Sequence, residues 1–370
     1  MQKAVALNGR FTGTSQPTGT QTAAFGLFDA LVRSPERELS LVVFADPKFP
    51  GVAEWKKFPN VTVVTVPFQN WSRGRAQWWE QFTLPRLCRE WNCTVAHHPI
   101  ATSPAFKGNV KSVVTLHDLN FFNHPEWYSR SFRLVYAFTA LPGLREAERV
   151  VVISDYVREQ AARDLHIEMQ RLRRVYNGVR FTLQDEIFAH TTVPYLLCVG
   201  SLQPHKNLPR LIKAYSMVKE TFPELELWVV GRPQPRFSEM PELHALLKTP
   251  GVKLLGYLSD AELRAAYANA LVFCYPSLEE GFGLPMLEAM ICGAPVVTSN
   301  CSCLPEIAGG AAELVDPFSE QDIALGVRKI LDLIPGERER WLARGLERAQ
   351  KFSWANAARE YLAIYEELFD

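Results

Sequence analysis

Two glutamates separated by seven residues bracket a short glycine-containing loop, Tyr275-Pro-Ser-Leu-Glu-Glu-Gly-Phe-Gly-Leu-Pro-Met-Leu-Glu288. The apolar run Leu271-Val-Phe-Cys-Tyr275 reads as a buried strand that stops at Pro276, Pro285 stands where a helix begins, and Gly293 lies just past its end. Such a strand–loop–helix offers free backbone N–H groups and the positive end of a helix dipole to an anion, and Gly281 and Gly283 let a phosphate approach with no Cβ in the way. Glu280 precedes the helix and Glu288 is expected in its first turn, so both are expected to line one crevice from different heights and to accept hydrogen bonds from sugar-type hydroxyls. Taken singly, Glu288 also reads as a favourable first-turn charge and Glu280 as a solvated loop residue.

Three further sites fall at strand ends, the edge at which open α/β sheets bind ligands. Leu196-Leu-Cys-Val-Gly-Ser-Leu-Gln-Pro-His-Lys-Asn runs from a strand into a second helix start, with Asn207 as its cap and Lys206 placed to neutralise a diphosphate. Strand Lys3–Asn8 leads through a long loop to Gly19, which touches a phosphate or sugar in this reading, although the Gly13-to-Gly19 spacing is not G-x-G-x-x-G. Strand Ser112–His117 delivers His117-Asp118 to its tip. His97 and His98 end another strand with no carboxylate nearby in sequence and read as structural. Two aromatic-basic stretches place Arg73 and Arg75 beside Trp71, Trp78 and Trp79, and Arg130 and Arg133 beside Trp127. They fit either a grip on an anionic acceptor or a membrane surface, or buried tryptophans with solvated arginines.

The elements that must hold these residues alternate from end to end. Short β-branched runs and helical patterns follow one another, which is the signature of parallel sheets built from βαβ units. Strands are expected at 3–8, 39–45, 61–66, 94–97, 112–117 and 150–154, and then at 195–199, 226–230, 252–255, 271–275 and 295–299. Two doubly wound α/β domains follow, with Thr182–Pro194 as the linker. Ser353 is expected to cap a closing helix from Trp354 to Leu368.

With 370 residues, 47% apolar and 22% charged, the chain has room for two domains and is neither disordered nor fibrous. No stretch approaches the ~18 apolar residues of a membrane span, and Met1–Asn8 lacks a signal-peptide core, so a cytoplasmic location is expected. Seven scattered cysteines with no C-x-x-C pair read as reduced thiols. A zero net charge conceals an excess of eight basic side chains over residues 1–180 and eight acidic ones over 181–370. A basic first half suits an anionic partner such as a phosphate-bearing lipid or the inner face of the cytoplasmic membrane, or is unplanned drift in surface charge. Nucleic acid is not expected, since no nucleic-acid module pattern occurs.

Glu280-Gly-Phe-Gly-Leu-Pro-Met-Leu-Glu288-Ala-Met closely resembles glycosyltransferase family 4, the retaining, nucleotide-sugar-dependent enzymes of GT-B architecture. The likeness runs the length of the chain through Pro17-Thr-Gly-Thr-Gln, Thr115-Leu-His-Asp-Leu, Val151-Val-Ile-Ser-Asp-Tyr-Val, Val175-Tyr-Asn-Gly-Val, Val199-Gly-Ser-Leu-Gln-Pro-His-Lys-Asn and Phe352-Ser-Trp. It is most similar to the bacterial polysaccharide mannosyltransferase branch.

That resemblance implies two Rossmann-like domains facing a cleft. Residues 1–181 with a returning helix at 354–370 would bind the acceptor, and 182–353 the donor. It implies that Glu280 holds hydroxyls of the transferred sugar and Glu288 the ribose, that Lys206 and the backbone around Gly281, Phe282, Gly283 and Leu284 hold the diphosphate, that Gly19 closes over it, and that His117 meets the sugar. Many members carry arginine where this chain has Ser201, with Arg232 as the substitute cation. No D-x-D occurs, so no metal and no cofactor is expected beyond the nucleotide-sugar co-substrate, a GDP-sugar in preference to a UDP-sugar. Same-face attack, with the leaving phosphate accepting the acceptor's proton, follows from the resemblance, and Asp118 stays open as a general base. The expected function is transfer of a hexose, mannose first, to a lipid-linked or saccharide acceptor. A catalytically silent subunit of the same architecture, binding a partner enzyme or membrane, and a nucleotide-sugar epimerase are the alternatives. Donor turnover separates the first, and release of epimer without acceptor the second.

Overall fold

The computed structural model describes residues 3–14, 18–35, 37–182, 193–232 and 240–369. The chain divides into two compact units. The first comprises residues 1–119, 133–178 and 353–370, and the second 120–132 and 179–352. This differs from the expected division in assigning 120–132 to the second unit. Most of the expected linker, like Pro17 of the first glycine loop, lies outside the described residues.

The first unit is built on a seven-stranded parallel sheet of β1 (Ala4–Gly9), β2 (Ser40–Ala45), β3 (Val61–Thr65), β4 (Val95–His98), β5 (Lys111–Leu116), β6 (Arg149–Val152) and β7 (Leu172–Arg174), in the order β3-β2-β1-β4-β5-β6-β7. The second is built on a six-stranded parallel sheet of β8 (Tyr195–Val199), β9 (Glu226–Val230), β10 (Val252–Gly256), β11 (Val272–Tyr275), β12 (Val296–Ser299) and β13 (Glu313–Val315), in the order β10-β9-β8-β11-β12-β13. Both are doubly wound, as the alternation of runs predicts. β1, β4, β8 and β11 are buried along their whole length; β8 and β11 for that reason read as unbroken apolar runs rather than alternating ones, while β1 and β4 carry buried polar residues toward their carboxyl ends.

The edge strands β7 and β13 escape the sequence reading. Each is three residues long, and their Leu-Arg-Arg and Glu-Leu-Val leave no period to detect.

The helix Trp354–Glu366 belongs to the first unit. Ser353 caps it, its hydroxyl accepting from the Asn356 N–H at 3.1 Å. Its Ala357, Ala358, Tyr361, Leu362 and Tyr365 join Ala24, Leu27, Phe28 and Leu31 of helix Gly19–Arg33 in one core, each of the large side chains contributing about 1.5–3 kcal/mol by burial. A Cβ at Gly26 would lie 2.5 Å from the Trp354 ring, so only glycine lets the two helices approach this closely. A buried polar chain completes the docking. The Tyr365 hydroxyl meets His97 Nδ1 at 2.6 Å, His97 Nε2 meets Thr115 Oγ1 at 2.9 Å, and Thr115 meets the Tyr361 hydroxyl at 2.8 Å. His97 is thus the structural residue its position suggested.

Candidate active site

In the second unit the strand order reverses between β8 and β11, and the loops leaving these two strands carry Lys206 and Glu280. Lys206 closes the 3₁₀ turn Pro204–Lys206 and Glu280 lies in the loop after β11. The lysine Nζ is 2.6 Å from Glu280 Oε1, donates to the Tyr275 hydroxyl at 2.7 Å and lies 4.8 Å from the centre of the Tyr275 ring. The two loops are tied by backbone as well. The Leu278 N–H donates to the His205 carbonyl at 2.7 Å, and Asn207 Nδ2 donates to the carbonyls of Pro276 at 3.0 Å and Pro317 at 2.6 Å.

Asn207 precedes helix Leu208–Lys219 but does not cap it with its side chain, as the sequence suggested. It is left-handed at φ 57°, and its amide is spent on the neighbouring loop.

Burial alone would push the Glu280 carboxyl up, yet Lys206 and then His205 hold it below the usual carboxylate range. Glu280 therefore stays ionised in a nearly enclosed setting, the side chains of Lys206 and Glu280 being 16% and 11% exposed.

Helix Leu284–Ile291 begins behind Gly283, whose φ of +96° is a left-handed conformation. A Cβ there would meet Leu304 Cδ2 at 2.9 Å, so the loop needs glycine on both conformational and steric grounds. Pro285 in the first turn lacks an N–H to orphan, leaving those of Gly283 and Leu284 at the dipole's positive end. Phe282 is buried edge-on against Phe352 at 5.7 Å and anchors this loop beside buried Gly281.

Glu288 is the fifth residue of the helix, not within the first turn, so it gains little from the dipole and needs other partners. It has them in Tyr267, whose hydroxyl donates to Oε2 at 3.0 Å, and Arg180, whose Nε is 3.2 Å from Oε1. Burial outweighs both and raises its carboxyl above the ordinary value. The two glutamates therefore sit in separate polar sets. Tyr267, Phe273 and Tyr275, at centroid distances of 5.3 and 5.7 Å, connect those sets.

Ser201 follows β8. The carbonyl of Arg232 accepts from the next N–H, that of Leu202, at 3.1 Å, which brings exposed Arg232 beside the Ser201 loop. Trp127, in the segment the second unit takes from the first half of the sequence, stacks on His124 at 3.9 Å and lies 5.6 Å from the ring of His205.

In the first unit Gly19 opens helix Gly19–Arg33 behind Thr18, exposed and with open space where a Cβ would be. His117 and Asp118 follow β5 directly, and both are half-buried. His117 Nε2 bonds the Pro99 carbonyl at 2.8 Å, and burial pushes its pKa down to about 4, so it is neutral at physiological pH.

The arginine–tryptophan stretches divide. Trp79 is buried, Arg75 lies 4.5 Å over the Trp71 ring, and Trp78 and Phe82 are 60% and 58% exposed. Arg73 starts helix Arg73–Trp78, and exposed Arg130 and Arg133 stand in the first turn of helix Arg130–Thr139.

Sequence reasoning missed a buried cluster in this unit. His98 Nδ1 lies 4.0 Å from Glu80 Oε1, a carboxylate distant in sequence, and Asn8 Nδ2 bonds both of them, at 3.1 and 2.6 Å. The local signal was a polar residue toward the carboxyl end of each strand, Asn8 in β1 and His98 in β4.

Among the described residues no helix is long and apolar enough to cross a membrane. A family model described as "Glycosyltransferase Family 4" matches residues 18–182, and one described as "Glycosyl transferases group 1" matches residues 180–348. "O-antigen chain mannosyltransferase B" of Escherichia coli is 30% identical over 276 residues, which cover 69% of this chain and 70% of that one. "Serotype-specific mannosyltransferase WbdA" of Escherichia coli is 34% identical over 223 residues, covering 59% of this chain but only 26% of that longer protein. Among solved structures, sucrose-phosphate synthase from Thermosynechococcus elongatus superposes with a TM-score of 0.75 at 20% identity, covering 100% of this chain and 99% of that one, a likeness of fold.

Proposed function

The chain belongs to glycosyltransferase family 4, and we propose that it moves mannose from GDP-mannose to a saccharide or lipid-linked acceptor in the synthesis of a cell-surface polysaccharide or glycolipid. It is a glycosyltransferase of the GT-B fold. The mannosyl specificity draws support from the names of the two Escherichia coli relatives. The observation that carries the donor assignment is the Lys206–Glu280 pair at the strand-order reversal, 2.6 Å apart and beside the N-terminus of helix Leu284–Ile291.

In this reading the diphosphate meets Lys206 and the Gly283 and Leu284 N–H groups. As the bond from the sugar's anomeric carbon to the β-phosphate oxygen breaks, negative charge grows on that oxygen, and these donors stabilise it more in the transition state than in the ground state. The acceptor hydroxyl forms the new bond on the same face of the sugar and passes its proton to the departing phosphate, so the configuration is retained. Positive charge at the leaving group is assigned to Lys206 and the helix dipole rather than to a metal on a D-x-D motif, which the sequence lacks. Glu280 accepts from the sugar hydroxyls and Glu288 from the ribose, since each carboxylate oxygen keeps a free lone pair beyond the partners named above. The exposed Trp78–Phe82 face beside Arg75 gives the basic first half of the sequence a means of resting on an anionic membrane surface.

A metal-free binding screen of GDP-, UDP-, ADP- and dTDP-sugars by calorimetry and thermal shift tests the donor. GDP-mannose is expected to bind saturably and to add about 2.7 kcal/mol of stability at a hundredfold excess over its dissociation constant. Glu288→Ala is expected to weaken that binding. Preference for another nucleotide would overturn the donor, and no binding at all would favour a silent subunit.

A further inference from the structure

The first sheet reverses its strand order between β1 and β4, the counterpart of the reversal between β8 and β11 that carries Lys206 and Glu280. Ligands of open α/β sheets bind outside the carboxyl ends of the strands at such a reversal. The first unit holds there a cation–carboxylate pair of its own with a buried carboxylate, Arg10 NH2 and Glu80 Oε2 at 3.1 Å. Arg10 directly follows β1, and Glu80 reaches the cluster from a helical run whose turn Trp79–Thr83 is π-helical. π turns recur at functional sites. This one turns Glu80 inward to 1% exposure while Trp78 and Phe82, on either side, stay outside.

Glu80 is fully engaged. Its Oε1 accepts from Asn8 Nδ2 at 2.6 Å and Thr102 Oγ1 at 3.2 Å, and its Oε2 from Gln77 Nε2 at 3.2 Å besides Arg10. Arg10 donates further to Gln77 Oε1 at 3.0 Å and Thr102 Oγ1 at 2.7 Å. The guanidinium is locked in one orientation, yet the arginine side chain keeps 21% of its surface exposed against 1% for Glu80. Burial raises the Glu80 carboxyl and Arg10 is the chief charge opposing that rise, so the arginine's charge is engaged by Glu80, and its directed N–H donors suit a neutral oxygen better than a further anion beside that carboxylate.

The geometry points to Arg10, oriented by Glu80, as an acceptor-recognition residue, and to an uncharged saccharide end with free hydroxyls as the group it takes. This rests on the transferase reading above. Donor binding, which belongs to the second unit, distinguishes the failure of one from the failure of the other.

Steady-state transfer is measured with an octyl mannobioside and with the same disaccharide on a short isoprenyl diphosphate, alongside calorimetric donor affinity. The wild type is expected to use the neutral glycoside. Arg10→Gln is expected to raise the KM for it about tenfold or more with donor affinity unchanged. Arg10→Lys is not expected to rescue it, because the planar fork is lost. Should Arg10→Gln fail to fold, Thr102→Val removes one of the arginine's partners at nearly equal volume and is expected to raise the same KM by a few-fold. An unchanged KM in whichever of these variants folds, with donor binding intact, overturns the assignment of Arg10. A wild type that accepts only the diphosphate-linked sugar overturns the choice of group. A wild type that binds no nucleotide sugar removes the transferase reading, and this assignment with it.

Discussion

Replacing Lys206 with methionine should separate what the Lys206–Glu280 pair does for stability from what the lysine does for catalysis. The pair is short, 2.6 Å, and its side chains are only 16% and 11% exposed, so removing the cation strands a nearly buried carboxylate. Breaking a buried pair from one side costs about 3–5 kcal/mol, and the residual exposure places this one near the lower end. Burial is the largest influence on Glu280 and pushes its carboxyl up, with Lys206 the chief opposing charge. Without the lysine the folded-state pKa rises above that of the unfolded chain. The folded form then holds a proton more readily, so the stability deficit is full above that raised pKa and shrinks as pH falls through it. Adding Glu280→Gln removes the stranded charge and is expected to restore stability to within about 1 kcal/mol of wild type. Turnover should behave otherwise. Both the single and the double variant lose the cation proposed to face the leaving group, and kcat with saturating donor is expected to fall about 10²–10³-fold in each. Urea unfolding at neutral and mildly acidic pH, beside initial-rate kinetics, reads both effects. A double variant no more stable than Lys206→Met would refute the buried-charge argument, and an undiminished kcat would remove Lys206 from leaving-group stabilisation.

Acid should loosen the first unit through its buried histidines. Burial lowers His98 to about 3, His117 to about 4 and His97 well below 6.5, so below pH 6.5 the unfolded chain binds more protons than the folded one. Their contribution is complete above that pH and is lost on acidification toward about 4, with a slope of up to about 1.4 kcal/mol per pH unit for each histidine. Equal urea midpoints at pH 7 and pH 5 would contradict this. A second prediction concerns the exposed Trp78–Phe82 face. The wild type should co-sediment with phosphatidylglycerol-rich vesicles at low salt and the Trp78→Ser/Phe82→Ser variant should not, each aromatic supplying about 1.5–3 kcal/mol when buried. Wild-type protein that stays in the supernatant would sink the membrane reading.

The motif proposed to hold the donor was legible because its residues lie within one stretch of sequence, where a strand, a glycine loop and a helix start follow directly in residues 271–291. Its finer geometry was less so. Glu288 turned out to be one turn deeper, and its partners Tyr267 and Arg180 come from distant positions that no local spacing reveals. Asn207 looked like a helix cap by residue type, but tertiary contacts to Pro276 and Pro317 claimed its amide. The cluster of Asn8, Arg10, Gln77, Glu80, His98 and Thr102 was illegible for a similar reason. It gathers residues from separate elements, and the π turn that brings Glu80 inward breaks the 3.6-residue rhythm by which a helix face is read. The short edge strands β7 and β13, three residues each, gave no period.

On the proposed reading, the Lys206–Glu280 pair also accounts for how binding energy is kept for the transition state. Without donor, the lysine's charge is spent on Glu280 and on the Tyr275 hydroxyl. A bound diphosphate must compete with both, so part of the attraction of Lys206 for the donor is offset in the ground state. As the anomeric bond breaks, the charge on the β-phosphate oxygen grows while that on Glu280 does not, and the balance moves toward the leaving group as the reaction proceeds. An interaction that strengthens along the reaction coordinate lowers the barrier, whereas one equally strong before and during it lowers only KM. Glu280, released in part from the ammonium, gains lone-pair capacity for the sugar's hydroxyls at the stage when the sugar must be held. The same carboxylate that stabilises the empty site by pairing with Lys206 thereby becomes a ligand of the substrate. For that reason Glu280→Gln, which keeps the shape but releases the lysine beforehand, should bind GDP more tightly than the wild type does while turning over more slowly.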